Sequence, residues 1–294
     1  MKKFSIIIAA CLLLTSFSAM ATKHNVYICE GSPMNLSLTT TSGVGPFTYQ
    51  WVKNGTNVTD STNVHFLKAA TSLSDAGSYY CIYTDAHSCS FTSDTLVVTI
   101  QKQPIITSPA GASLCKGETE TITINDNTIA GTYVSDNISI LTVNANTGVV
   151  TAVAAGTANV TFTTVNEPHC TSVISYTVKA IPEIASYTAT CLCTGSNCTF
   201  DPSTIAGNVV PTGTTYTWTI TTNNANITGQ SNNTTPASTF TTGNLNNTTT
   251  VGSGDHLIYT LTPVGNACTG SNFTVDVCIF PKATTKITVN GIEY

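Results

Sequence analysis

The sequence predicts an all-β fold: three β-sandwiches in tandem behind a cleaved signal peptide. Three observations carry this. About one residue in five is Thr, and Thr, Val, Tyr and Ile favour the pleated sheet, while frequent Asn, Gly and Pro punctuate turns. Outside the N-terminal apolar run, no window shows the apolar period of a helix. A Cys-x-Gly near the front of a unit and a lone Cys heading its final strand recur three times along the chain.

The chain opens MKKFSIIIAACLLLTSFSAMA. Lys2 and Lys3 precede a short apolar run and Ala19-Met20-Ala21 fits a small-residue cleavage site, so residues 1–21 read as a secretory signal removed after Ala21. Ile8-Ala9-Ala10-Cys11 is a rival, loosely resembling a lipobox with acylation at Cys11, although the apolar run before it is very short. No other run approaches the length of a membrane span. The mature chain is therefore expected to be secreted, either extracellular or on the outer cell surface. The net charge is −5 and all ten basic residues are Lys; losing Lys2 and Lys3 makes the chain more acidic. Without Arg it lacks the bidentate phosphate fork and the basic patch that nucleic-acid binding needs. It also lacks the cationic clusters that hold anionic lipid. Of the 11 cysteines, all but Cys11 lie beyond the signal, and in an exported chain they read as disulfides. Zinc competes at Cys191-x-Cys193 with Cys198, but the spacing is not C-x-x-C and no His lies nearby.

The first unit spans 22–102. "MNLSL" alternates as a strand, "FTYQWVKNG" places Trp51 on the next with Asn54-Gly55 as a tight turn, and "SDAGSYYCIYT" and "DTLVVTI" supply two more. Asp75, Gly77, Tyr79 and Cys81 have the spacing D-x-G-x-Y-x-C. Together with Trp51 this resembles the immunoglobulin-like domain. The resemblance implies Trp51 in the core, a Tyr79 hydroxyl tied to upstream backbone, and Cys81 bridged to strand B. The sequence departs at that bridge. The strand B position falls near Leu38, and the nearest upstream cysteine is Cys29, before the strand in "CEGSP".

The second unit spans 103–182. "LCKGETETITI" repeats the Cys-x-Gly and the alternating strand. Ser135-Asp136-Asn137, Val143-Asn144, Gly148-Val149-Val150-Thr151-Ala152 and Ala155-Gly156-Thr157-Ala158 follow in order, which resembles the bacterial immunoglobulin-like repeat of intimin- and invasin-type surface proteins. Asn146-Thr147-Gly148 reads as a hairpin turn. "EPHCTSVISYTV" places Cys170 at the start of the last strand. The third unit spans 183–281. "CTGSNCTF", then "TYTWTITTNNANITG" with Trp218, then "HLIYTLTPVGNACTGSNFTVDVCIFP" resemble the PKD-like domains of secreted Bacteroidetes proteins. The linkers "QKQPIITSP" and "KAIPEIAS" are short and stiffened by Pro104, Pro109 and Pro182.

The repeated plan pairs Cys29 with Cys89, Cys115 with Cys170 and Cys193 with Cys268, each loop contributing roughly 4 kcal/mol on the chain-entropy model. Immunoglobulin geometry instead prefers Cys29 with Cys81, and spacing leaves the choice open. Cys191, Cys198 and Cys278 remain, with Cys191–Cys278 the first pairing to expect because first and last strands are neighbours. The odd counts in the outer units also permit an interdomain bridge or a free thiol.

No catalytic constellation is legible. His24, His65, His87, His169 and His256 fall in no H-E-x-x-H and accompany no G-x-S-x-G serine; His87 and His169 read as exposed hairpin residues. There is no calcium loop, no evident carboxylate pair for glycoside hydrolysis, and no phosphate loop. Catalytic, cofactor and metal residues are therefore all expected to be none. Trp51 and Trp218 sit in Y-x-W strands and read as core fillers rather than sugar platforms. Asp60-Ser61-Thr62 and Asp94-Thr95-Leu96 resemble a Bacteroidetes O-glycosylation motif that a Thr-rich chain meets by chance.

These readings predict a non-enzymatic secreted or surface protein that is structural and adhesive, presenting disulfide-stapled modules to a surface protein or glycan. The alternatives are a carbohydrate-binding accessory protein, with Tyr83, Phe91 and Tyr133 as its exposed aromatics, and the non-catalytic part of a larger exported protein. Residues 282–294, "KATTKITVNGIEY", alternate as a further strand around Asn290-Gly291. Head-to-tail self-association through strand addition is one expected use of them.

Overall fold

A computed structural model describes residues 22–39, 43–250 and 252–283, and the backbone of 288–289 and 292–293. The signal at 1–21 and the Asn290-Gly291 turn lie outside the described residues. Among the described residues the architecture is strands throughout, apart from two 3-10 turns at Leu73–Asp75 and Pro202–Thr204.

In the first sandwich the main sheet runs in the order Lys23–Cys29, Thr95–Gln101, Gly77–Thr84, Thr48–Lys53, Thr56–Asn57, with Ser90–Thr92 paired on Gly77–Thr84. The facing sheet is Met34–Ser37 against His65–Lys68. Alternation of buried and exposed residues along Met34–Ser37 is the period-two signature of a strand with one face in a core. That core holds Met34, Leu36, Trp51, Tyr79, Cys81, Val98 and Ile100. The corner before Gly77–Thr84 is built from hydrogen bonds. The Tyr79 hydroxyl donates to the Asp75 carbonyl at 2.7 Å, and the Asp75 carboxylate accepts from the Ser72 N–H, the Ser72 hydroxyl and Lys68. Burial pushes the Asp75 carboxyl up, but Lys68 and the Ser72 donors outweigh it and hold the group below its ordinary value. Burial, with Asp75 adding to it, pushes Tyr79 up to about 12.

In the middle sandwich one sheet runs Ser113–Cys115, Thr171–Lys179, Gly156–Thr164, Gly131–Ser135, and the other Thr119–Thr121, Val149–Ala152, Leu141–Val143. The turn joining the last two is held by the Asn144 side chain, which accepts from the N–H groups of Asn146 and Thr147 at 3.0 Å each, with Gly148 at φ +69°. In the third sandwich the sheet runs Tyr187–Thr188, Phe273–Phe280, Asp255–Gly265, Thr215–Thr222, Asn233–Ala237. Trp218, Phe240 and Tyr259 stack edge to face in its core at 5.1 and 5.0 Å.

Contacts divide the chain into two compact units. One holds the first sandwich through Thr107 with Thr123–Val134 and Thr161–Ile174; the other holds Ser108–Ile122, Ser135–Val160 and everything from Ser175 onward. In the first, Gln103 donates to the Thr171 carbonyl at 2.6 Å and Lys102 pairs with Asp126 at 2.9 Å. In the second, Glu120 accepts from Tyr176, Ser108 and the Ala110 N–H. Burial raises the Glu120 carboxyl, and those donors more than reverse the shift.

Each unit carries a disulfide between different sandwiches: Cys29–Cys170 in one and Cys115–Cys268 in the other. Cys191–Cys278 lies within the third sandwich. The expected pairs Cys29–Cys89, Cys115–Cys170 and Cys193–Cys268 are thus corrected, and strand direction gives the reason. The cysteine before each x-Gly ends a short strand running parallel to the closing strand of its own sandwich, opposite that strand's last residue. The registers are Cys29 with Gln101, Cys115 with Lys179 and Cys193 with Phe280. The hairpin cysteines Cys89, Cys170 and Cys268 precede the starts of the same closing strands. Closing strands of 7, 9 and 8 residues separate the two positions by roughly 20–30 Å at ~3.3 Å per residue, whereas a disulfide needs Cα atoms within about 7 Å. Cys29 and Cys115 therefore each meet the hairpin of the following sandwich. The alternative Cys29–Cys81 fails in the same way. Tyr79 pairs with Leu96, which puts Cys81 toward the start of the closing strand, with its thiol fully buried in the core.

Residues 288–289 and 292–293 pair with each other as a two-stranded hairpin, not with the sheet of the third sandwich.

Candidate functional site

The first sandwich gathers aromatic side chains at one hairpin. Thr48–Lys53 and Gly77–Thr84 are antiparallel with Tyr49 opposite Tyr83, and Tyr83 in turn faces Phe91 across the Ser90–Thr92 return. Cross-strand neighbours on one face lie within ring contact. The Tyr83 and Phe91 rings stack at 5.4 Å and 25°, Phe47 meets Tyr83 edge-on at 6.2 Å, and Phe47 lies 6.5 Å from Tyr49. Phe91 is 39% exposed, and Phe47, Tyr49 and Tyr83 are half-buried.

Local chemistry fixes this row. In the hairpin turn the Asp85 carboxylate accepts from the N–H groups of His87 and Cys89 at 2.9 and 3.0 Å. The Cys89 and His87 N–H groups hold that carboxyl below its ordinary value. The Ala86 N–H donates to the Val44 carbonyl at 2.9 Å, tying the hairpin to the segment that carries Phe47. Gly43, at φ +103°, lies so close that a Cβ there would stand 2.9 Å from the Phe47 ring.

Beside the row opens a cleft of about 410 Å³ whose lining includes Leu38, Trp51, Tyr83, Leu96, His24 and Asp94. The Trp51 indole donates to the Asn63 carbonyl at 3.0 Å and is itself buried. The Thr22 hydroxyl and N–H hold the Asp94 carboxyl below its ordinary value, and His24 adds to this. The arrangement offers flat apolar ring faces with a few polar groups beside them, which suits contact.

Of the aromatics singled out from sequence, the structure brings Tyr83 and Phe91 together. Tyr133 is corrected: it is 7% exposed, packed at 4.8 Å on Phe162, because alternation along Gly131–Ser135 turns it to the core. Phe47 and Tyr49 were missed, although "FTYQW" alternates them on the face of Trp51. Trp51, Tyr79 and Trp218 are all buried. Cys198 is buried, Cys193 is exposed, and neither is among the three disulfides. Among the described residues no group of three or more His, Cys, Asp or Glu side chains is placed to hold a metal, and no helix is long and apolar enough to cross a membrane.

Comparison with known proteins matches three successive family models. An immunoglobulin domain covers residues 16–100, a bacterial Ig-like domain (group 2) residues 102–172, and a PKD-like domain residues 190–283. A curated relative, the decoration protein of Escherichia phage T5, is 39% identical over 71 residues, which are 24% of this chain and 43% of that protein. The chain thus spans less than half the length of that relative. Among solved structures, the chain is similar to three N-terminal domains of the bacteriophage RB49 outer capsid protein Hoc, at 11% identity and a TM-score of 0.36 over 87% of this chain and 96% of that one. It is also similar to extracellular domains 3–5 of Drosophila OTK, at 14% identity and a TM-score of 0.25 over 87% and 94%. A C-terminal fragment of intimin solved with the intimin-binding domain of its receptor is 13% identical, with a TM-score of 0.34 over 54% and 64%. The chain is a tandem immunoglobulin-like protein, made of an immunoglobulin domain, a group 2 bacterial Ig-like domain and a PKD-like domain.

Proposed function

We propose that this chain is a non-enzymatic, exported structural and adhesive protein that resists extension and presents the Phe47–Tyr83–Phe91 row for contact. The observation that carries the reading is the overlap of its disulfides along the sequence. Cys29–Cys170 overlaps Cys115–Cys268, and that bridge overlaps Cys191–Cys278. A covalent path therefore leads from Cys29 to Cys278 through bonds and only the chain from Cys170 to Cys191. A pull on the ends can draw out about 70 Å of that connecting chain at ~3.5 Å per residue, against about 850 Å for the unbridged chain from Cys29 to Cys278. Such bridges persist in oxidising surroundings, which supports a location outside the cell or on its outer surface.

The contact partner is a surface protein or a glycan, since ring faces accept either an apolar side chain or the face of a sugar. Similarity to a phage decoration protein favours attachment to the outside of a larger body. A second reading, a carbohydrate-binding accessory protein, draws on the exposure of Phe91 beside Tyr83.

Single-molecule pulling between tags at residues 22 and 283 tests the mechanical claim. Without reductant, total lengthening stays on the order of 100 Å up to forces that rupture covalent bonds. With reductant, the sandwiches open one after another to nearly the full contour. Stepwise opening of whole sandwiches in the absence of reductant contradicts the reading.

A further inference from the structure

A cleft of about 510 Å³ opens on the outer face of the first sandwich, lined by Tyr27, Thr99, Gln101, Asn166 and Glu167. Register decides which strand residues line it. Lys23–Cys29 runs parallel to Thr95–Gln101, with Tyr27 beside Thr99 and Cys29 beside Gln101. Val98 and Ile100 lie in the core and Val26 and Ile28 pack against it. Strand alternation therefore turns Tyr27, Thr99 and Gln101 to the opposite face, where Tyr27 is 45% exposed. Asn166 and Glu167, on the hairpin that precedes Cys170, form the other wall within the same compact unit.

Ties across the cleft fix that second wall. The Cys29–Cys170 disulfide joins the strand of Tyr27 to the hairpin of Glu167. The Gln101 amide, with its nitrogen toward the hairpin, donates to the Glu167 and Asn166 carbonyls at 2.7 and 3.2 Å, and its oxygen accepts from the Thr164 hydroxyl at 3.3 Å. That orientation satisfies both ends of the amide. Gln101 is thus a positioning residue, and Tyr27, Thr99, Asn166 and Glu167 are the groups that meet a ligand. A cleft held in shape before binding loses less freedom when it is filled.

We propose that this cleft binds a neutral saccharide, one or two sugar units seated on the Tyr27 ring. Its volume falls in the roughly 300–1,000 Å³ of small-ligand sites. The face of an aromatic ring is apolar and electron-rich, and the C–H face of a pyranose is apolar and faintly positive, so the two stack. The hydroxyls around the sugar's edge then need polar partners beside the ring. The Thr99 hydroxyl and the Asn166 amide can each donate and accept, whereas the Glu167 carboxylate only accepts. Glu167 Oε1 lies 3.2 Å from His169 Nε2, and a sugar hydroxyl donating to Oε2 would make a charge-assisted bond. The same carboxylate, in a chain of net charge −5, repels an acidic sugar, and such repulsion is a source of specificity. The cleft is separate from the Phe47–Tyr83–Phe91 row and does not depend on that row being the adhesive surface.

The test titrates the whole disulfide-bonded chain with maltose, cellobiose and lactose, each beside a counterpart with one ring oxidised to the uronic acid. At least one neutral disaccharide is expected to bind at millimolar concentration or below, and its acidic counterpart at least about tenfold more weakly. Tyr27→Ala weakens the neutral sugar at least about tenfold, while Tyr27→Phe, which keeps the ring, changes it by less than about threefold. Glu167→Gln keeps the shape, removes the charge and brings the neutral and acidic sugars to about equal affinity. Phe91→Ala leaves disaccharide binding unchanged. Four results overturn the proposal: no neutral disaccharide bound at millimolar concentration, binding indifferent to Tyr27→Ala, binding lost in Phe91→Ala, or a neutral preference that survives Glu167→Gln. Melting curves that match the unmodified chain show that lost binding is not lost folding; were Tyr27→Ala to unfold, the loss of preference in Glu167→Gln decides.

Discussion

Tyr79 shows how much one residue carries. Its ring lies fully buried between Phe66 at 5.6 Å and the rest of the first core, and its hydroxyl reaches back four residues to the Asp75 carbonyl. This was legible because the D-x-G-x-Y-x-C spacing resembles the immunoglobulin-like corner, and that resemblance implies the tie. Cys81, two residues on, is buried and in no disulfide, as the repeated cysteine plan left it and the immunoglobulin resemblance did not. Its role as a disulfide half depends on what faces it from the other sheet, and there the core offers Met34 and Leu36. Tyr79→Phe keeps the packing and removes the hydroxyl, leaving a buried carbonyl without its donor. The expected cost is about 1–2 kcal/mol, read as a lower urea midpoint at unchanged slope in the first transition. A midpoint equal to that of the unmodified chain would show that the corner hydrogen bond contributes nothing.

At the scale of elements, alternation was a reliable guide and strand direction was hidden. Period-two patterns located the strands bearing Trp51, Tyr79 and Trp218. The same pattern, followed one strand further, would have turned Tyr133 inward and added Phe47 and Tyr49 to Tyr83. The short strand Lys23–Cys29 gives no sign in its sequence that it runs parallel to Thr95–Gln101, and parallel pairing carries Cys29 to the far end of the closing strand. The aromatic row is an element-level feature and can be tested as one. Phe91 is partly exposed and touches the core little, so Phe91→Ala is expected to change the melting temperature by less than about 2 °C, a surface-sized effect. Binding of the chain to its target, screened on arrays of surface glycans and on intact cells, should fall at least tenfold, as for a contact aromatic. Binding unaffected by both Phe91→Ala and Tyr83→Ala would place the contact surface elsewhere.

For the whole molecule, the disulfides turn three similar sandwiches into one covalent series. Bridges spanning 141 and 153 residues restrict the unfolded chain by roughly 5 kcal/mol each on the chain-entropy model. Because each joins two sandwiches, that stabilisation couples neighbours instead of reinforcing one. The sequence displayed the repeated cysteines plainly but not their partners: similarity between units invites pairing within a unit, whereas each unit's two positions stand at opposite ends of a strand. Peptide mapping of the non-reduced, alkylated protein measures this most directly. The expected linked peptides are Cys29 with Cys170, Cys115 with Cys268 and Cys191 with Cys278. Finding Cys115 linked to Cys170, or Cys29 linked to Cys81 or Cys89, would contradict the stapled series.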